Sequence, residues 1–150
     1  MSPSETTARR GWMSVLALAS TEELEHAWRR VPARPAHRVL RPPEIGLAMV
    51  RARAGGTGSR FNLGEITVTR CSVELPDGTV GHAYVGGRRR RHAELAAVLD
   101  ALLQQPGRRR KLEAELIAPL ARAQAERRRA VVARSAPTRV EFFTMVRGDD

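Results

Sequence analysis

A β-hairpin signal at the centre of the chain places the strongest limit on its fold. The run from Glu65 to Leu75 is rich in Thr, Val and Ile, the residue types that strands favour. Asp77-Gly78 follows it, and this pair is typical of a tight hairpin turn because both residues tolerate positive φ. A second extended run then spans Thr79 to Val85. The sequence therefore predicts two antiparallel strands joined by a short turn.

A third strand is predicted before this hairpin. Ile45, Leu47 and Met49 alternate there with small residues, which is the two-residue period of a strand. Gly55 to Gly58 interrupts the pattern, and we interpret it as a loop between strands, since it has no lysine of a phosphate-binding loop and no helix follows it. The apolar positions of the next strand change from even to odd numbers near Arg70, which predicts a β-bulge.

The residues before the sheet repeat with a helical period. Trp12, Val15, Leu16 and Ala19 form one apolar stripe, and Leu24, Trp28 and Val31 form a second. Ser20 and Glu23 have the spacing of a capping box between the two helices. Pro32 and Pro35 should end the second helix.

Helical periodicity returns after the sheet. Leu95 to Leu102 carries an apolar stripe that ends near Pro106-Gly107, and Lys111 to about Arg134 is a further helical region that Pro119 should kink or divide. The residues from Arg139 to Val146 are extended in pattern. Helices, a small antiparallel sheet and further helices predict an α+β fold, with residues 1–150 as a single domain and residues 1–8 disordered.

Composition excludes several classes of protein. No apolar run approaches the roughly 18 residues that a membrane span needs, and the stretch from Trp12 to Ala19 is too short for a signal peptide, so we expect a soluble cytoplasmic protein without membrane association. The single cysteine excludes an intrachain disulfide and a cysteine-rich metal site. The formal net charge of +10 favours an acidic partner or a nucleic acid.

The sequence predicts no catalytic centre and no metal site. His92-Ala93-Glu94 matches the start of the zinc deaminase signature, but the downstream cysteines of that signature are absent. Cys71 lies at an apolar strand position, where a buried thiol is the commoner state. No carboxylates have the paired spacing that acid–base catalysis requires.

The run Arg88 to Arg91 is the strongest candidate for a binding segment. It begins a helix, where the helix dipole repels cations, so either a phosphate, an acidic partner or simple exposure to solvent could account for it. The candidate contacts with an anion or a partner are Arg60, Arg88, Arg91, His92, Glu94 and Arg147. The candidate residues for packing against a partner are Phe142, Phe143 and Met145.

Four segments of the chain resemble the PhnG family of the carbon–phosphorus lyase system. They are RGWMSVLALAS, IGLAMVRARAGGTGSRFNLGEITVTR, GHAYVGGRRRRHAELAAVLDAL and RVEFFTMVRGD, and they follow one another from about Arg9 to Asp149. The arginine run is more basic than the mixed charged stretch that the family would lead us to expect.

The resemblance implies a subunit of the carbon–phosphorus lyase core complex, assembled with PhnH, PhnI and PhnJ. PhnG, PhnH, PhnI and PhnL would together form α-D-ribose 1-methylphosphonate 5-triphosphate from ATP and methylphosphonate, releasing adenine. ATP and the phosphonate would be substrates of the complex, with no cofactor in this chain. The resemblance supplies no catalytic residue for any position here.

Two other functions remain open at the level of sequence. A basic nucleic-acid-binding module would explain the charge, but it needs a groove-reading helix or exposed aromatic side chains. An independent transferase or hydrolase is disfavoured by the missing catalytic motifs.

Overall fold

The computed structural model describes residues 3–53 and 57–135 and has an α+β fold, as predicted. Two helices come first, α1 (Pro3–Leu18) and α2 (Thr21–Arg30). Three strands follow, β1 (Arg38–Arg53), β2 (Arg60–Glu74) and β3 (Val80–Gly86). The chain then forms α3 (Arg90–Gln104), α4 (Pro106–Leu112), a π-helical turn (Glu113–Ile117) and α5 (Ala118–Ser135).

The strands form one antiparallel sheet in the order β1-β2-β3. The turn between β2 and β3 is the predicted one: Gly78 has φ +81°, and the Asp77 side chain accepts a hydrogen bond from the Thr79 N–H. From Thr69 onward the odd-numbered residues of β2, and all those of β3, are buried beneath the helices, among them Cys71, Val73 and Val85. The even-numbered Ser72, His82 and Tyr84 lie on the opposite face, which is more open to solvent.

Helix α3 lies at the centre of the core. Nearly every side chain from His92 to Leu103 is buried, because the sheet covers one side of the helix and α1, α2 and α4 cover others. Gly81 allows the closest approach between strand and helix: a Cβ added there would lie 2.0 Å from the carbonyl oxygen of Ala97.

Three local predictions are confirmed. Ser20 and Glu23 form a complete capping box at the start of α2. The helical region after α3 is divided next to Pro119, where the π-helical turn precedes α5 because proline provides no N–H for the carbonyl of the preceding turn. The Gly-rich segment connects β1 and β2, although residues 54–56 lie outside the described ranges.

Two local predictions need correction. Residues 3–8 are helical rather than disordered, since proline suits the first position of a helix and Glu5 lies in the first turn, where the dipole favours an acid. The β-bulge expected near Arg70 is not in β2, whose pairing with β3 is unbroken. The register shift lies opposite Arg70 in β1, between Arg41 and Glu44, where two prolines interrupt the strand.

Candidate functional site

The arginine run lies at the start of α3, where the chain leaves β3 and turns toward the face of the sheet that the helix covers. Gly87, with φ +84°, makes this turn, and its N–H donates to the Thr67 carbonyl. The buried hydroxyl of Thr69 donates to the Gly87 carbonyl at 2.6 Å and accepts from the Arg89 N–H at 2.9 Å. Thr69 therefore supplies the cap that α3 lacks in its own sequence.

Arg90 and Arg91 bind other parts of the same chain. Arg90 donates to the carbonyl of Pro43 at 2.8 Å, which joins the start of α3 to β1. Arg91 forms an ion pair with Glu25 of α2 at 2.7 Å and a longer one with Glu94 at 3.5 Å. The hydrogen bond from Arg91 lowers the pKa of Glu25, and the same bond raises the pKa of Arg91. Of the predicted contact residues, Arg91 thus already has a carboxylate partner.

Glu94 is also engaged within the chain. One of its carboxylate oxygens lies 3.2 Å from Nε2 of His37, in the segment between α2 and β1. Its other oxygen faces Arg91. Arg88 and Arg89 differ, because both are exposed and neither takes part in an ion pair with the residues the structure describes. Arg90 is likewise exposed and forms no ion pair with a described residue, so the unpaired positive charge of the run lies in its first three residues.

His92 does not face solvent, contrary to its prediction as a contact residue. It is completely buried, and its Nε2 lies 2.9 Å from the carbonyl oxygen of Leu16. A carbonyl can only accept, so Nε2 carries the proton and Nδ1 faces the Thr21 hydroxyl at 3.5 Å. Burial lowers the pKa of His92, and the charge of Arg89 acts in the same direction. The neutral imidazole joins α3 to α1 and α2.

Cys71 has the environment of a core residue. It is 1% exposed, and its thiol faces the carbonyl of Arg41 at 3.4 Å. Burial, with a smaller effect from the charge of Glu94, raises the pKa of the thiol to about 11. A thiol of this kind is protonated at neutral pH and is a poor nucleophile. In residues 3–53 and 57–135, no group of His, Cys, Asp and Glu side chains could hold a metal ion.

Asp100 is the most connected polar residue of the core, and the sequence did not single it out. Its carboxylate accepts two hydrogen bonds from Arg9, at 3.1 and 2.7 Å, and one from the indole of Trp12 at 2.9 Å. It also accepts from the His82 N–H at 2.9 Å. An aspartate inside the apolar run of α3 was the available signal, since a buried carboxylate needs donors. Asp100 joins α1, β3 and α3 and has no access to solvent.

The remaining predicted residues do not join this segment. Arg60 is the first residue of β2, seven residues before Thr67, which places it about 20 Å along the strand from Gly87. Phe142, Phe143, Met145 and Arg147 lie outside the described residues. The structure therefore brings together only the predicted residues from Arg88 to Glu94.

An open apolar groove lies between α2 and the helices after α3. Its volume is about 480 Å³, and Ala27, Val31, Leu116 and Leu120 are among the residues that line it. Glu23, at its edge, is held by Arg127 at 2.8 Å, and that bond lowers the pKa of Glu23. The charged and titratable residues that line it besides Glu23 are Glu22, His26, Arg29, Arg30, Lys111 and Glu115.

Exposed large apolar side chains concentrate on the end of the sheet beyond β3. Within the described ranges, this part of β1 and β2 carries Leu47, Met49, Phe61, Leu63 and Ile66, each between 45% and 66% exposed. Such a concentration is typical of a surface that another molecule covers. No helix of the described residues is long and apolar enough to cross a membrane.

Comparisons with known proteins agree on one family. The family model described as "Phosphonate metabolism protein PhnG" matches residues 7–148. The alpha-D-ribose 1-methylphosphonate 5-triphosphate synthase subunit PhnG of Rhizobium meliloti (strain 1021) is 46% identical over 142 residues. The match covers 95% of this chain and 90% of the relative.

Proposed function

The chain belongs to the PhnG family of phosphonate metabolism proteins, and from this premise we propose that it is a subunit of an α-D-ribose 1-methylphosphonate 5-triphosphate synthase. The relative from Rhizobium meliloti bears that description and matches nearly the whole length of both chains. The complex would form its product from ATP and methylphosphonate with release of adenine. Because ATP is a substrate, the complex would act in the cytoplasm.

Within this complex the chain has a structural and accessory role. The observation that carries this proposal is the cluster of exposed apolar side chains on the free end of β1 and β2. Burying such side chains is favourable by about 25 cal/mol per Å² of apolar surface, so a partner that covers them gains binding energy. The polar residues at the start of α3 serve the fold itself, since Arg90, Arg91, His92 and Glu94 bind other elements of the chain.

The partners we propose are PhnH, PhnI, PhnJ and PhnL. PhnI would carry the nucleoside cleavage, and PhnJ would carry the later iron–sulfur step. Arg88, which is exposed and has no ion pair with a described residue, would add to the positive field that attracts triphosphate and phosphonate anions toward the shared site.

The test is reconstitution with adenine release as the readout. The purified chain would be assayed with ATP and methylphosphonate in three kinds of mixture. The first contains the chain alone, the second adds PhnH, PhnI and PhnL, and the third omits one of those subunits at a time. We expect methylphosphonate-dependent adenine release only from the full mixture, and its loss when this chain is left out. Full turnover by the lone chain, or by the other subunits without it, would contradict the proposal.

A further inference from the structure

The end of the sheet beyond β3 is a two-stranded projection, which we call the arm (residues 47–53 of β1 and 60–67 of β2). β3 pairs with β2 only from Val68 to Glu74, so within residues 3–53 and 57–135 the pairs from Leu47–Thr67 to Arg53–Arg60 have no third strand. At about 3.3 Å per residue, the arm extends about 20 Å from the body. An isolated two-stranded hairpin is only marginally stable in water, so a partner would be expected to support it.

One face of the arm continues the face of the sheet that packs on α3. Ile45 pairs with Thr69, which contacts the start of that helix, and Leu47 and Met49 follow on the same side at the two-residue period. Leu47 is 65% exposed and Met49 is 52% exposed. The apolar surface that the helices cover near the body is therefore left open on the arm.

The other face of the arm is apolar as well. Ala48 pairs with Ile66, and Ala52, on the same side of β1, pairs with Phe61. Ile66 is 49% exposed and Phe61 is 45% exposed. Between them the register shifts by one residue, which leaves Leu63 as the extra residue of a bulge, 66% exposed. A segment with apolar side chains on both faces fits a cleft better than a flat surface.

The charges of the arm are mainly positive and lack partners within the described residues. Arg51, Arg53 and Arg60 lie toward its far end. Glu65 is the one acidic residue of the arm. None of the four takes part in an ion pair with a described residue, and Arg53 donates only to the carbonyl of Gly58, at 3.2 Å. Complementary carboxylates would have to come from another molecule.

We propose that the arm inserts into an apolar cleft, rimmed by Asp and Glu side chains, on another protein subunit of the synthase. This inference rests on the proposed function, because it assigns a docking element to the complex. A second copy of this chain is a poorer occupant, since both molecules would carry a net charge of +10 and the same basic arm. A nucleic acid would match the arginines but would leave Leu47, Met49 and Leu63 uncovered.

Photo-crosslinking would identify the occupant of the arm. The photoreactive residue p-benzoylphenylalanine would replace Leu63 in chain assembled with PhnH, PhnI and PhnL, and Leu18, which is 69% exposed on α1, would be the control position. We expect crosslinks from position 63 alone, to a peptide of another subunit that contains Asp or Glu. Crosslinks to a second copy or to nucleic acid, or none at all, would overturn the inference.

Two sets of substitutions separate the apolar and the charged contributions. The apolar set is Leu47→Ser with Met49→Ser, and its control is Leu18→Ser with Val132→Ser, which alters equally exposed side chains elsewhere. The charge set replaces the three arginines of the arm by Glu, and its control replaces three exposed arginines of α5 that form no ion pair with a described residue: Arg122, Arg128 and Arg129.

The readout is the dissociation constant from the other subunits at low and high salt. The charge set should raise Kd about tenfold or more at about 50 mM NaCl and much less at about 500 mM, because salt screens exposed charges. The apolar set should raise Kd about tenfold or more at both salt concentrations. Circular dichroism of each variant would verify that the body is folded.

The outcomes distinguish this inference from the proposed function. If the arm variants bind like their controls and adenine release is intact, the arm is not the docking element although the chain is still a subunit. If the unaltered chain fails to assemble, both proposals fail. Loss of binding by the arm variants, with the controls unaffected, is the expected result.

Discussion

Each buried polar residue of the described core connects separate elements of the fold. Thr69 caps α3 from within β2, His92 joins α3 to α1, and Asp100 holds α1 and β3 together. A buried polar group without a partner costs about 1–3 kcal/mol, so each of these residues depends on the position of its neighbours. Their hydrogen bonds therefore fix how the helices and the sheet pack against one another, and none of the three acts as a reactive group.

The stability of the fold should depend on pH through His92. Because burial lowers its pKa below 6.5, the folded chain keeps the imidazole neutral while the unfolded chain takes up a proton. The free energy of unfolding should therefore be at its full value above pH 6.5 and fall as the pH decreases through that value, by at most about 1.4 kcal/mol per pH unit. Urea unfolding from pH 8 to pH 5 measures this slope.

A matched pair of variants assigns the slope to this residue. His92→Gln should be less stable than the unaltered chain at pH 8 and should have a flatter dependence on pH. His82→Gln, on the exposed face of β3, should keep the original slope. Equal slopes in all three proteins would show that the buried imidazole is not the source.

Residue-level contacts were predictable only where the partners are near in sequence. Ser20 and Glu23 are three residues apart, and their capping box was read directly from that spacing. Asp100 receives its bonds from Arg9 and Trp12, which are 91 and 88 residues away, so only the folded chain brings them together. For the same reason the sequence placed His92 among the surface contacts when its partner is the distant Leu16.

At the level of elements, periodicity located the helices and strands but not their full extent. The predicted first strand covered Ile45 to Met49, whereas β1 runs from Arg38 to Arg53. Pro42 and Pro43 concealed its first part, and an edge strand tolerates proline because one side of its backbone needs no ladder bond. The last part, residues 50–53, was not recognised because it includes two arginines. This part of the strand has no buried face that would produce an alternation of apolar and polar residues.

Close contact between β3 and α3 should make Gly81 essential. In Gly81→Ala the new Cβ would meet backbone atoms of Ala97 and Ala101 at 2.0 and 2.7 Å, so the helix would have to move away from the sheet. We expect the free energy of unfolding to fall by at least about 2 kcal/mol, as in other overpacked cores. Chemical denaturation followed by circular dichroism measures the change.

Gly46→Ala is the matched control for that substitution. Gly46 also lies in a strand, but an added Cβ would have no neighbour within 4 Å. The free energy of unfolding of the Gly46→Ala protein should be unchanged or raised by up to about 1 kcal/mol, because alanine has less backbone conformational entropy to lose on folding than glycine. A Gly81→Ala protein as stable as this control would mean that α3 does not pack as tightly on β3 as the distances indicate.

For the whole molecule, the order of elements and the family were predictable from sequence, whereas the position of the exposed apolar surface was not. The four segments quoted for the resemblance lie mainly within the span that the family model matches, residues 7–148. The sequence assigned partner packing to Phe142 and its neighbours, which lie outside the described residues. The predicted end of β3 at Val85 lies one residue from the observed end, but the predicted second strand began at Glu65 and so left out Phe61 and Leu63 of the arm.

The net charge of +10 should produce only nonspecific binding to polyanions. The arginine run begins α3, but this helix is buried in the body from His92 onward and cannot enter a DNA groove. We expect the lone chain to bind two unrelated DNA duplexes equally at about 50 mM NaCl and to release both by about 300 mM, because binding through phosphates weakens steeply with salt. Fluorescence anisotropy with labelled duplexes measures both affinities. A preference for one duplex that persists at the higher salt concentration would mean that base edges are read by some other surface, and the excess charge would then have a role beyond attracting acidic subunits and anionic substrates.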